Sequence, residues 1–201
     1  AADIAVMEAS HAAEIAALYE LASNQSAGIT LLEASHAAEI AALEAELESA
    51  TSCQLMPYGN CAGANLSGAD LSGMDLTGID LRSANLEGAN LAGAGLSESL
   101  LMNIKGNDST SFSNANLDGA DLSTAYLGNA DLTGAILNHT DLTDADLDNA
   151  DLTDAYLSNA DLTHADLAYA DLTDANLEGA DLTGAYLQYA DLTGASLWNA
   201  D

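Results

Sequence analysis

Near the start of the chain, Glu8 and His11 stand three residues apart, and so do Glu33 and His36. On a helix this spacing places a carboxylate and an imidazole on one face, the arrangement from which carboxylate-bridged di-metal bundles are built. A complete site needs two further carboxylates, from Glu14 and Glu39 or from a second chain. The plainer reading is a histidine tolerated at a half-buried helix seam. A second set of carboxylates, Asp131, Asp141, Asp151, Asp161, Asp171, Asp181 and Asp191, recurs every ten residues, each followed by Leu-Thr. Carboxylates in such a series either accept hydrogen bonds from turn backbone or hold a hard cation such as calcium. A flat ladder lacks the roughly six to eight converging oxygens of a calcium cage, so no cofactor beyond weakly bound calcium is expected. Cys53 and Cys61 flank the turn-prone stretch Pro57-Tyr58-Gly59-Asn60, which would bring them together either as a disulfide or as two reduced, half-buried thiols. No third or fourth Cys or His lies nearby to make a zinc site. His139 and His164 stand alone at turn positions, and there is neither a nucleophile-base pair nor a Gly-rich phosphate loop. The residues describe a binding or structural chain rather than an enzyme.

The elements that carry these residues follow from two internal periods. The segment Glu8 to Leu18 reads EASHAAEIAAL, and Glu33 to Leu43 repeats it residue for residue, so residues 1–25 and 26–50 are a tandem duplication. The larger side chains fall at Ile4, Met7, His11, Ile15 and Leu18, and again at Ile29, Leu32, His36, Ile40, Leu43 and Leu47, spacings of three and four that trace one helix face. Asn24-Gln25-Ser26-Ala27-Gly28 is a poor helix former. The reading is an Ala-rich antiparallel α-helical hairpin over 1–50, with one continuous helix as the alternative, followed by a Cys-containing junction at 51–61.

From residue 62 a different period takes over. Leu recurs every fifth residue at Leu66, Leu71, Leu76, Leu81, Leu86, Leu91, Leu96 and Leu101, and the series resumes one residue out of phase at Phe112 and Leu117, running to Leu197. Five matches neither a helix nor a flat strand, so each unit must combine a short extended piece with a turn. Coils of four units then stack with Leu at the centre of each side, and the small Ala two residues earlier (Ala115, Ala120, Ala125, Ala130) fills the other inward position. With coils about 4.8 Å apart, about seven of them make a rod of roughly 33 Å. The interruption at 102–111, MNIKGNDSTS, breaks the phase, contains Lys105 and is expected to bulge from the rod.

Runs such as ANLSGADLSGMDLTGIDL and ADLTDAYLSNADLTHADL resemble the pentapeptide-repeat family over about 62–101 and 112–201. The resemblance implies a mainly β fold, a right-handed quadrilateral β-helix, and no catalysis. It also implies a possible partner class, because the family's understood members protect or inhibit DNA gyrase by resembling duplex DNA. Those members dimerise through a C-terminal helix, and this sequence stops at Asp201 in mid-repeat. The expectation is that the uncovered last coil stacks on another subunit, giving an end-to-end homo-oligomer or filament, with the helical segment as a second contact.

Charge narrows the partners further. The chain has 32 Asp and Glu against two Lys and Arg, a net −30, which repels nucleic acid and anionic membranes and favours a basic or DNA-binding protein. Four sides alternate in character: the Asp columns occupy two, while Tyr126, Tyr156, Tyr186, Ile136 and Trp198 lie outward on the others. Tyr169 and Tyr189 occupy equivalent places one coil apart, where they either stack on each other or present a contact surface. No run is long and apolar enough to span a bilayer. A start at Ala1-Ala2-Asp3 gives a slight lean towards an exported chain.

Overall fold

The structure, a computed structural model, describes residues 53–201 together with residues 20, 21, 36 and 40. Those four are helical and exposed. The hairpin expected over 1–50, its single-helix alternative, and Glu8, His11 and Glu33 lie outside the described residues. The chain divides into two compact units, Ala1–Glu48 and Ser49–Asp201.

The second unit is a coil of five-residue turns. Asn60 pairs in parallel with Asp80, Asp80 with Leu100, Leu100 with Asp121, and the column continues through Asp141 and Asp161 to Asp181. Three more columns begin at Asn65, Asp70 and Asp75, so four units make one circuit. Each link is one residue long because the chain turns a corner immediately afterwards. At a representative corner the Ala135 N–H donates to the Leu132 carbonyl at 3.0 Å, and the residue before Ala135 has φ of 64°. A positive φ at that place is the requirement of a type II turn, which explains why Gly and Asn or Asp crowd there. Tyr169 (φ 58°), Tyr189 (φ 64°), His139 (φ 56°) and His164 (φ 61°) hold the same left-handed conformation.

The interior is built from two residue types. Leu71 to Leu101 and Leu117 to Leu177 are shut off from solvent at the centre of each side, with Phe112 taking one of their places. Alanines from Ala84 to Ala180 fill the inward position before them, where Ile79 and Ile104 also fit. Burying each Leu is worth about 1.5–3 kcal/mol, and the polar backbone beside it is satisfied by the coils above and below. Three hydroxyls replace Ala without leaving an orphan. Ser99 donates to the Leu96 carbonyl at 2.6 Å, Thr110 to that of Leu86 at 3.0 Å and Thr140 to that of Leu117 at 2.8 Å.

The interruption differs from the expected bulge. Pairs before it are 20 residues apart, as in Asn85 with Lys105, whereas Asn90 pairs with Ser111 and Lys105 with Tyr126, 21 apart. A single residue has been added, and it is absorbed within one corner, 107–110. The Thr110 N–H still donates to the Asn107 carbonyl at 2.9 Å. The Gly88 N–H, whose counterparts Gly68 and Gly73 donate to backbone carbonyls one coil on, donates instead to Asn107 Oδ1 at 2.9 Å. Thr110 Oγ1 closes the remaining gap by accepting the Asn107 N–H at 2.9 Å. Side-chain oxygens thus stand in for the displaced main chain, and Ile104 and Phe112 on either side remain fully buried.

The junction closes the first coil. Cys53 and Cys61 are joined as a disulfide across eight residues, and Cys61, 2% exposed, occupies an inward Leu position. Cys53 and Leu55 pack against the core. Gln54 donates to the Asn60 carbonyl, and Tyr58 donates to the Thr77 carbonyl at 2.8 Å, pinning the loop onto the next coil.

Candidate interaction faces

Each side of the coil presents the residue just before the inward Leu and the residue just after it. On one side the first of these reads Asp121, Asp141, Asp161, Asp181; on the opposite side it reads Asp131, Asp151, Asp171, Asp191. The ten-residue period puts them there, since ten residues are half a circuit. Their orientation comes from the backbone. Oδ1 of Asp141 accepts the Thr143 N–H at 2.9 Å, and the same bond two residues on is made by Asp131, Asp151, Asp161, Asp171, Asp181 and Asp191. Asparagines make it too, as at Asn116 with Asp118 and Asn176 with Glu178. Asp or Asn is therefore the residue of choice before Leu because its side-chain oxygen caps an N–H that faces outward at the corner.

These bonds favour the ionised carboxylate. Thr183 and Thr193, through side chain and N–H, hold Asp181 and Asp191 below the ordinary carboxylate value. At Asp131 burial pushes upward, but the Thr133 N–H and hydroxyl with those of Ser111 and Ser113 outweigh it, and the net shift is downward. Ser111 Oγ, one coil below, donates to Asp131 Oδ2 at 2.9 Å. Among the described residues no group of three or more His, Cys, Asp or Glu comes together to hold a metal ion.

The other two sides separate the aromatic residues. One column reads Lys105, Tyr126, Asp146, Asp166, Tyr186; the other starts at Asp75 and continues without further charge through Gly95, Asn116, Ile136, Tyr156, Asn176 and Ser196. Tyr126 and Tyr186 therefore share a side but are separated by two carboxylates, while Tyr156 lies beside Ile136 on the opposite one. Trp198 follows Leu197 on the side of Ile136 and Tyr156 and is 66% exposed. Tyr169 and Tyr189 meet at a corner, stacked with ring centroids 5.0 Å apart and planes at 24°. His139 is not isolated, because its Nδ1 lies 3.1 Å from Asp118 Oδ1 on the coil below. His36 is exposed, and no helix among the described residues is long and apolar enough to cross a membrane.

The model of pentapeptide repeats matches eight copies in this chain, over residues 60–99, 110–149, 125–163 and 160–199. The chain belongs to the pentapeptide-repeat family. Members of the family form right-handed quadrilateral β-helices, which accounts for the four-sided coil and its parallel ladders. Among solved structures it is similar to HetL from the cyanobacterium Nostoc sp. strain PCC 7120, a pentapeptide repeat protein involved in heterocyst differentiation regulation. That match has 34% identity and a TM-score of 0.55 over 70% of this chain and 73% of HetL. The pentapeptide repeat protein alr5209 from the same strain matches at 32% identity and TM-score 0.36, over 61% of this chain and 78% of its own. A trypsin-treated variant of QnrB1, a plasmid-mediated fluoroquinolone resistance protein, matches at 20% identity and TM-score 0.41, over 65% and 69%. No curated protein matches the chain.

Proposed function

We propose that this pentapeptide-repeat rod is a non-enzymatic protein-binding module that presents its two Asp columns to a basic, DNA-binding partner. The observation that carries this reading is the regular spacing of backbone-oriented carboxylates on opposite sides of one rigid ladder. Residues 51–201 contain 23 Asp and Glu against Arg82 and Lys105, a net −21. Spread over about seven coils at about 4.8 Å each, this amounts to about 0.6 charge per Å, close to duplex DNA at one charge per about 1.7 Å. Pentapeptide-repeat proteins are in general structural or binding modules rather than enzymes, in keeping with this role. The test is displacement of a labelled duplex from DNA gyrase and from a lysine-rich histone, measured against salt. Saturable displacement that weakens steeply with salt and with Asp→Asn changes at positions 141, 151, 161 and 171 is expected. Failure to displace duplex from either protein at low salt would overturn it.

A narrower second reading, a DNA mimic directed at gyrase itself, is favoured by the same charge density. Inhibition or protection in a supercoiling assay, with no effect on histone-bound duplex, would select it. Self-association is read in parallel by light scattering across concentration, where a constant monomer mass argues against a filament subunit.

A further inference from the structure

The one-residue insertion leaves a groove on the side that carries Tyr126. Its lining is Gly106, Asn107, Asp108, Tyr126, Gly128, Asn129 and Asp146, and its volume is about 410 Å³. Two glycines line it. Gly106 stands in the inward position that Leu101 and Phe112 fill on either side, and Gly128 stands where the same face of neighbouring coils carries Asn107 and Asp148. Gly106 cannot be enlarged cheaply, since a Cβ there would come 3.0 Å from Leu127 Cδ2. Gly128 has no left-handed φ, and a Cβ there would lie 3.3 Å from Asp146 Oδ1.

The walls select a ligand. Tyr126 is 53% exposed and supplies an aromatic face. Asp146 above is fixed by its own corner, with Oδ1 accepting the Asp148 N–H at 3.2 Å, and no donor among the described residues reaches Oδ2. Asp108 below is exposed and, among the described residues, accepts only the Ser109 hydroxyl, at 3.2 Å. An aromatic ring and two carboxylates in one lining, with glycine backbone beside them, suit a planar cation that stacks and donates. Asn129 adds a polar edge. Lys105, next to Tyr126 in its column, is not part of the lining and opposes a cation's approach from that direction.

The geometry points to this groove as a seat for a single arginine side chain of the basic partner. This rests on the reading of the rod as a module for basic proteins and names the place where such a partner is anchored rather than merely attracted. The two acidic columns steer; the groove fixes register along the rod. An anchoring point is needed because a uniform charge ladder has no preferred position along its length.

The experiment is an NMR titration of the whole chain with Nα-acetyl-arginine amide and, separately, with the uncharged citrulline analogue. Saturable shifts confined to the amides of Gly106, Asn107, Gly128, Asn129 and Asp146 are expected with arginine and not with citrulline. Tyr126→Ala and Gly128→Leu should each weaken binding about five- to tenfold, Asp146→Asn should weaken it, and Lys105→Gln should strengthen it. Tyr186→Ala is the control, since Tyr186 occupies the same column but has Gln188 where Tyr126 has Gly128. Circular dichroism of each variant separates lost binding from lost fold. Small, non-saturating shifts spread along the Asp columns, or equal binding of citrulline, would overturn the site while leaving the displacement result of the protein-binding reading intact. Loss of duplex displacement with the saturable arginine site retained would overturn that reading instead.

Discussion

The Gly88 N–H finds its acceptor in the side chain of Asn107, at 2.9 Å, at the point where neighbouring coils use a main-chain carbonyl. Replacing Asn107 by Ala leaves that donor only its longer bond, to Thr110 Oγ1 at 3.2 Å, and removes the partner of the Ser109 N–H as well. The expected loss is about 1–2 kcal/mol, measured as a shift in the urea midpoint, whereas Asn107→Asp keeps an acceptor oxygen and should lose less. Equal losses in the two variants would mean that the oxygen is not what closes the insertion.

At Asp161 the hydrogen bond and the charge can be separated. Asp161→Asn retains an oxygen for the Thr163 N–H and relieves repulsion from Asp141 and Asp181 in the same column, so it should be neutral or stabilising. Asp161→Ala removes the acceptor as well and should cost about 0.5–1.5 kcal/mol. Thermal unfolding of the pair decides between a column selected for its turns and one held together by bound cations, because in the second case Asn would destabilise as much as Ala.

Acid should weaken the fold through a small set of carboxyls. Asp70, Asp80, Asp131, Asp181 and Asp191 lie below the ordinary value of 3.8 in the folded chain, so at acid pH the unfolded chain binds more protons than the folded one. Their stabilisation is fully present above the unfolded value and is lost as pH falls through it to the depressed folded values, from about pH 5 downward. The diagnostic is a difference: Asp131→Asn should show a shallower loss of denaturant midpoint between about pH 5 and pH 3 than the parent.

Opening the Cys53–Cys61 bond should act locally. Closing a loop of eight residues' separation stabilises by about 2–3 kcal/mol, but coils touch only their neighbours, so the effect is confined to the first of them. Hydrogen exchange should accelerate at Asp80 N–H, which donates to the Gly59 carbonyl, while the Asp161 N–H, which donates to Thr140, keeps its rate. Uniform acceleration along the rod would show that the coils unfold as one unit.

The stacked Leu and Ala interior and the sorting of Asp131 to Asp191 onto two sides were legible in the sequence because a repeat reports its own geometry. Once five residues are a side, ten are half a circuit, and every column follows by counting. The stacking of Tyr169 on Tyr189 was one of two readings of the same count. The insertion was located but misjudged. Counting detects an extra residue and is blind to whether side-chain oxygens at Asn107 and Thr110 replace the displaced backbone. The groove between Gly106 and Gly128 escaped for a related reason, since it depends on a pair across 105–126, where the circuit is one residue longer; the partnership of His139 with Asp118 escaped because it joins a corner to the side of the coil below, 21 residues away where the circuit is 20.

The division of the rod into two acidic sides and two others makes it sensitive to the length of any change in the chain. Gain or loss of twenty residues leaves every surface aligned, and a change of ten exchanges each side with its opposite, so carboxylates still follow carboxylates. A change of five is a quarter-turn joint. Everything beyond it would present Asp where the strip of Ile136 and Tyr156 had been, and a partner spanning the joint would meet two half-length surfaces facing in perpendicular directions.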